Sequence, residues 1–215
     1  MLLVLSLILS VSLYGCSKSD REYSTNIDST DTAILTIFTY DGSGEKKPML
    51  LNLGHAFFSL ENISDDEIMV GKKSVAPHST ITIGTWSVAE HFGVWYNLES
   101  NYIKFNGKYT GRKSISIGIN SEDIDTISEC ISSMDNWGPL HNCSYFALTT
   151  WNKVATDNEK IDTPLIYTPT HIAKVLAHFD TCVTDKPIET DTVFGYFNDD
   201  TYVVKSFYDN LGGAE

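Results

Sequence analysis

The spacing of hydrophobic positions changes period near the middle of the chain. Residues 33–40, AILTIFTY, are β-branched and aromatic and run into DGSGEKKP, a turn of glycine, charge and proline, so a first strand is predicted there. Residues 49–60, MLLNLGHAFFSL, predict a second extended segment closed by ENISDD. β-branched residues alternate with polar ones over 67–75 and 79–83, which predicts a hairpin around Ala76-Pro77-His78. Further extended segments are predicted at 93–99, 102–105 and 114–119, the last two joined through NGKYTGRK as a hairpin. The first half thus reads as all β.

From residue 120 the period becomes helical. Asn120 is placed to cap a helix with Asp123 at its third position, and Ile124, Ile127, Ile131 and Met134 fall on one face. Cys130 lies beside that stripe and reads as a core thiol. A second helix is predicted over about 142–155, with Asn142 as cap and Phe146, Thr150, Trp151 and Val154 along one side. A third opens at Thr168-Pro169, a cap followed by proline in the first turn, and buries Ile172, Val175, Leu176 and Phe179. The tail, VFGYFNDDTYVVKSFY, predicts a hairpin turning at Asn198-Asp199-Asp200. Sheet, then helices, then a closing hairpin make an α+β domain.

Length and composition fit one such domain: 215 residues, 42% of them hydrophobic and 12% aromatic, are enough for a sizeable core. The net charge of −13, from 28 acidic and 15 basic residues without a basic run, argues against a nucleic-acid partner held through its phosphates. The N-terminus changes the picture more. Residues 2–13 are apolar but too short for a comfortable membrane span, and they end in Leu13-Tyr14-Gly15-Cys16, which resembles a bacterial lipobox. The expected organisation is a signal peptide over 1–15, a polar tether over 16–31 and one domain over 32–215. Acylation of Cys16 would then tie an exported protein to a membrane of the cell envelope. Export would permit a disulfide between two of Cys130, Cys143 and Cys182, and a Cys130–Cys182 pair would leave Cys143 as the free thiol. No CxxC motif or Cys/His pair has zinc spacing, so neither a metal nor another cofactor is expected.

The stretch LHNCSYFALTTWN carries the candidate chemistry. Behind an Asn142 cap, Cys143 occupies a first helical turn, where unpaired N–H groups and the helix dipole favour a thiolate and could hold an oxyanion. The residue is therefore either a nucleophile or one more packed thiol. A nucleophile needs a base, and six histidines are available. His55 sits mid-strand among apolar residues, where it reads as a base or as a hydrogen-bonded core histidine. His141 precedes the helix and need not face the thiol. His78, His91, His171 and His178 read as surface residues.

Gly54-His55-Ala56-Phe57 on an early strand, Trp95-Tyr96-Asn97-Leu98-Glu99 later, and Asn142-Cys143-Ser144-Tyr145-Phe146-Ala147 opening a helix last together resemble the circularly permuted NlpC-like cysteine hydrolases. That papain-like group includes the lecithin retinol acyltransferase relatives, and the resemblance covers about residues 50–154. In it the His strand leads, a polar third member follows on the next core strand, and the Cys helix comes last. The resemblance implies a permuted papain-like fold with Cys143 as nucleophile and His55 as general base. It makes Glu99, at the end of a β-run, the residue that orients the imidazole, with a hairpin over 67–83 inserted between the two. Asn97, two residues earlier on the same strand face, is the substitute for Glu99. The reaction implied is acyl transfer on an amide, of a peptidoglycan or other peptide, or on an acyl-lipid ester. A reading of a different class is a non-catalytic β-rich lipoprotein that binds a partner, with Cys143 structural. The two differ in whether the Cys143 sulfur meets a His55 ring nitrogen.

Overall fold

The structure, a computed structural model, describes residues 27–43, 54–189 and 193–206. The 1–15 leader, Cys16 and most of the tether lie outside the described residues, as do residues 49–53 of the second expected strand. In chain order the elements are Ala33–Tyr40 (β1), His55–Asn62 (β2), Ile68–Val70 (β3), Lys73–Val75 (β4), Thr80–Val88 (β5), His91–Tyr96 (β6) and Leu98–Asn106 (α1). Lys113–Ile119 (β7), Ser121–Ser133 (α2), Cys143–Val154 (α3), Pro169–Leu176 (α4), Val183–Thr184 (β8), Phe194–Asn198 (β9) and Thr201–Lys205 (β10) follow.

One eight-stranded sheet in the order β10-β9-β6-β5-β2-β1-β7-β8 organises the fold, each neighbouring pair antiparallel. β1 and β2 pair along their whole length, Ala33 opposite Asn62 and Tyr40 opposite His55. Alternation sends Leu35, Ile37, Ala56, Phe58, Leu60 and Ile83 to one face, where they meet Ile127 of α2, Phe146 and Trp151 of α3, and Ile172 and Leu176 of α4. The other face carries Phe38 and Phe57, whose rings stack at 4.9 Å, together with Tyr109 and Trp86. α1 packs there against β5. The central strands are covered on both sides, which is why AILTIFTY and HAFFSL read as nearly continuous apolar runs.

The helix starts follow local side-chain chemistry. In α2, Asn120 Oδ1 accepts the Glu122 and Asp123 N–H groups at 2.9 and 3.1 Å, and Asp123 Oδ2 accepts the Asn120 N–H at 3.1 Å, a complete capping box. Thr168 Oγ1 accepts the His171 N–H at the head of α4, with Pro169 in its first turn.

Three sequence expectations are corrected. Residues 102–105 are not a strand but part of α1, so the first half is not all β; the helix is launched by Asn97 in the left-handed region at φ 62° and stopped by Gly107 at φ 59°. The hairpin expected over 67–83 is instead β3–β4, a separate two-stranded sheet, while β5 pairs with β2 and β6. Its insertion between β2 and β5 lengthens the path from His55 to Glu99 without separating the core strands. Finally, Cys130 is a free, buried thiol, so the Cys130–Cys182 disulfide is not formed.

Candidate active site

Cys143, the first residue of α3, meets the first residues of β2. Asn142 caps the helix: its Oδ1 accepts the Tyr145 N–H at 3.0 Å, and its amide donates to the carbonyls of Tyr167 at 3.1 Å and Pro139 at 3.4 Å. This takes one of the donors of the first turn and leaves the N–H groups of Cys143 and Ser144 facing the helix entrance. Cys143 itself is free and half-buried.

Of the six histidines, only His55 is buried. Its Nε2 donates to Glu99 Oε1 at 3.1 Å, which leaves Nδ1 for the sulfur. Burial opposes a charge on both His55 and Cys143. The mutual attraction of thiolate and imidazolium and the hydrogen bond between them outweigh that burial. With Glu99 adding its hydrogen bond and charge, His55 is pushed up to about 9. The thiol moves the other way: His55, the backbone N–H of Ala56 and the pull of the Ser144 hydroxyl hold Cys143 below its ordinary value. Each partner thus favours the charged form of the other, thiolate on Cys143 and imidazolium on His55.

Glu99 is fully buried, and its placement departs from the expected strand end: it lies in the first turn of α1, where the dipole favours a carboxylate. Oε1 accepts two donors, His55 and the indole N–H of Trp86 at 2.7 Å. Gly84 makes room for it. A Cβ there would sit 2.0 Å from Oε1 and 3.2 Å from the Phe57 Cβ, so no other residue fits under this carboxylate without moving it. Asn97 is elsewhere engaged. Its positive φ breaks the strand alternation that would align it with Glu99, and its side chain accepts the Thr82 N–H at 3.0 Å and donates to the Val193 carbonyl at 3.3 Å. Asn97 thus sets the start of α1 and does not reach the imidazole.

The remaining histidines lie apart from this cluster's hydrogen bonds. His91 pairs with Asp135 at 2.9 Å and stacks on Tyr196, His78 pairs with Asp65, and His171 and His178 bond backbone carbonyls. His141 packs edge-on against Tyr145. Tyr145 meets Tyr167 with ring centroids 5.0 Å apart, tying the first turn of α3 to the segment before α4. Leu140 before α3 and Leu165 and Ile166 before α4 are exposed apolar side chains, with relative exposures of 81%, 99% and 71%.

Gly84, and the role of Trp86 beyond lining a groove or filling the core, escaped sequence reasoning, and no local signal marks them. GTW reads as any strand fragment, and what gives both residues a role is a carboxylate delivered from a different element. Neither a family model, nor a curated protein, nor a solved structure matches the chain. Among the described residues no group of His, Cys, Asp and Glu is arranged to hold a metal ion, and no helix is long and apolar enough to cross a membrane.

Proposed function

We propose that this chain is a cysteine hydrolase or acyltransferase with a permuted NlpC-like, papain-like fold, in which Cys143 attacks the carbonyl of an amide or acyl ester. One observation carries the reading: a free, half-buried thiol at a helix N-terminus lies against an imidazole whose other nitrogen is held by a buried carboxylate. A packing cysteine needs none of these partners. The chain order of His strand, carboxylate and Cys helix, with the helix packed on the sheet, is also that of the permuted group.

In the acylation step the thiolate adds to the carbonyl carbon, and the electron pair moves to oxygen. The oxyanion is met by the Cys143 N–H at the head of α3. Collapse breaks the bond to the leaving nitrogen or oxygen, which takes the proton from His55 Nδ1 and leaves a thioester and a neutral imidazole. Nδ1 then accepts a proton from water or an acceptor hydroxyl, whose oxygen attacks the thioester and expels the thiolate. Glu99 keeps the ring in one orientation and stabilises its charged form throughout. The exposed apolar Leu140, Leu165 and Ile166, on the segments that Asn142 ties together through its bond to the Tyr167 carbonyl, suit a substrate with an aliphatic group, on a peptide or a lipid. Acylation of Cys16 would place the enzyme in the bacterial cell envelope, where both kinds of substrate occur.

The test is the alkylation rate of Cys143 from about pH 4 to about pH 9 in the wild type and in His55→Ala, against about 8.5 for an unperturbed thiol. Fast labelling well below that value, lost without His55, is expected. Slow labelling indifferent to His55 would return Cys143 to the core and favour the binding module.

A further inference from the structure

The second donor on Glu99 is independent of the residues assigned so far. Trp86 lies on β5, its indole N–H 2.7 Å from Oε1, the same oxygen that accepts His55. Its ring also lies 4.2 Å from the imidazole, centroid to centroid, at an interplanar angle of 40°. One side chain therefore touches both members of the His55–Glu99 pair. It is half-buried where Glu99 is fully buried, so the indole touches the buried pair while part of it meets solvent.

Two physical consequences follow. A carboxylate attached to the helix by a flexible side chain can rotate, and a single bond from His55 would not hold Oε1 in place. The indole N–H fixes it from a second direction, while Gly84 leaves the space it occupies. An imidazolium under an aromatic face is also stabilised by the ring quadrupole, more so away from water. We propose that Trp86 is a positioning residue of the active site, holding Glu99 Oε1 on His55, so that the thiolate–imidazolium pair depends on it. This rests on the catalytic reading of Cys143 and His55, but Trp86 touches no substrate in it.

The experiment is the pH dependence of Cys143 alkylation by iodoacetamide in the full chain, read by mass spectrometry, for the wild type, Trp86→Phe, Glu99→Gln and the double variant. Phenylalanine keeps a ring and removes the N–H. The midpoint of labelling is expected to move up by about half to one pH unit in Trp86→Phe, because a less anchored carboxylate supports the imidazolium less and the thiolate with it. In the Glu99→Gln background the same change is expected to add almost nothing, since Trp86 acts through Glu99. A midpoint unchanged by Trp86→Phe, or shifted equally in both backgrounds, would overturn the proposal. Should Trp86→Phe not fold, Trp86→Leu, which also removes the indole N–H, carries the test, with the same upward shift expected and the same two results overturning the proposal. If labelling ignores His55 as well, the catalytic reading itself has failed; if it follows His55 but not Trp86, only this inference has.

Discussion

At the scale of the residue, the site turns on how a buried carboxylate is used. Glu99 has no exposed surface, and its Oε2 has no hydrogen-bond partner among the described residues, an arrangement that costs stability unless the charge is put to use. The imidazolium beside Oε1 is that use. Glu99→Gln keeps an oxygen for the His55 N–H and removes the charge. His55, raised to about 9, would then hold its proton less tightly, and its titration is expected to fall by about one unit or more. The sign for reactivity follows. In the proposed reaction acylation needs thiolate and imidazolium together, so the alkaline limb, set by loss of the His55 proton, moves to lower pH. The acid limb, set by formation of the thiolate, moves to higher pH. The active window narrows from both sides, and NMR titration of the His55 ring would show the alkaline half of that effect directly. An unchanged ring titration would mean that Glu99 is structural.

At the scale of the element, α3 is both scaffold and electrostatic device, and Asn142 separates the two. Asn142→Ala removes the cap bond to Tyr145 and the amide bonds to Tyr167 and Pro139, and should destabilise the fold by about 1 kcal/mol in a denaturant titration. Asn142→Asp keeps a capping oxygen but sets a negative charge next to the thiolate. It also loses the amide donors to Tyr167 and Pro139, so its stability is expected to fall as in Asn142→Ala, while its Cys143 labelling midpoint rises above that of Asn142→Ala, a difference that a purely structural cap would not show. Caps of this kind were legible in the sequence because they are local. Asn120 with Asp123, Asn142, and Thr168 with Pro169 announce their helices within four residues. α1 was not legible, because Tyr102, Ile103 and Phe105 have strand-like composition and the helix is imposed by the left-handed Asn97 and by packing on β5. The partner of β5 was misread for a related reason: alternation identifies a strand but not its neighbour, which the long-range register with β2 decides.

At the scale of the whole molecule, the candidate site is a product of topology. β2 supplies His55, β5 supplies Gly84 and Trp86, α1 supplies Glu99 and α3 supplies Cys143, so no contiguous piece of chain contains it. The sequence motifs around His55 and Cys143 could each be read locally, but their meeting could be inferred only from resemblance. The antiparallel sheet brings them together by laying β2 and β5 side by side and packing α3 across them. This makes the reactivity of Cys143 a property of the folded state, and the free thiols of Cys143 and Cys130 provide opposite readouts of it. In the native protein Cys143 is held toward the thiolate, whereas burial pushes Cys130 up and shields it. On denaturation both should approach an ordinary exposed thiol, near pKa ~8.5. Below that pH, iodoacetamide labelling across a urea titration is therefore expected to slow at Cys143 and accelerate at Cys130. Both changes should share the midpoint at which circular dichroism reports loss of the sheet, if unfolding is two-state. Loss of Cys143 reactivity at lower urea, with Cys130 still protected, would place α3's contact with β2 in a unit less stable than the rest. A Cys143 that speeds up on unfolding would mean that the fold protects this thiol instead of activating it.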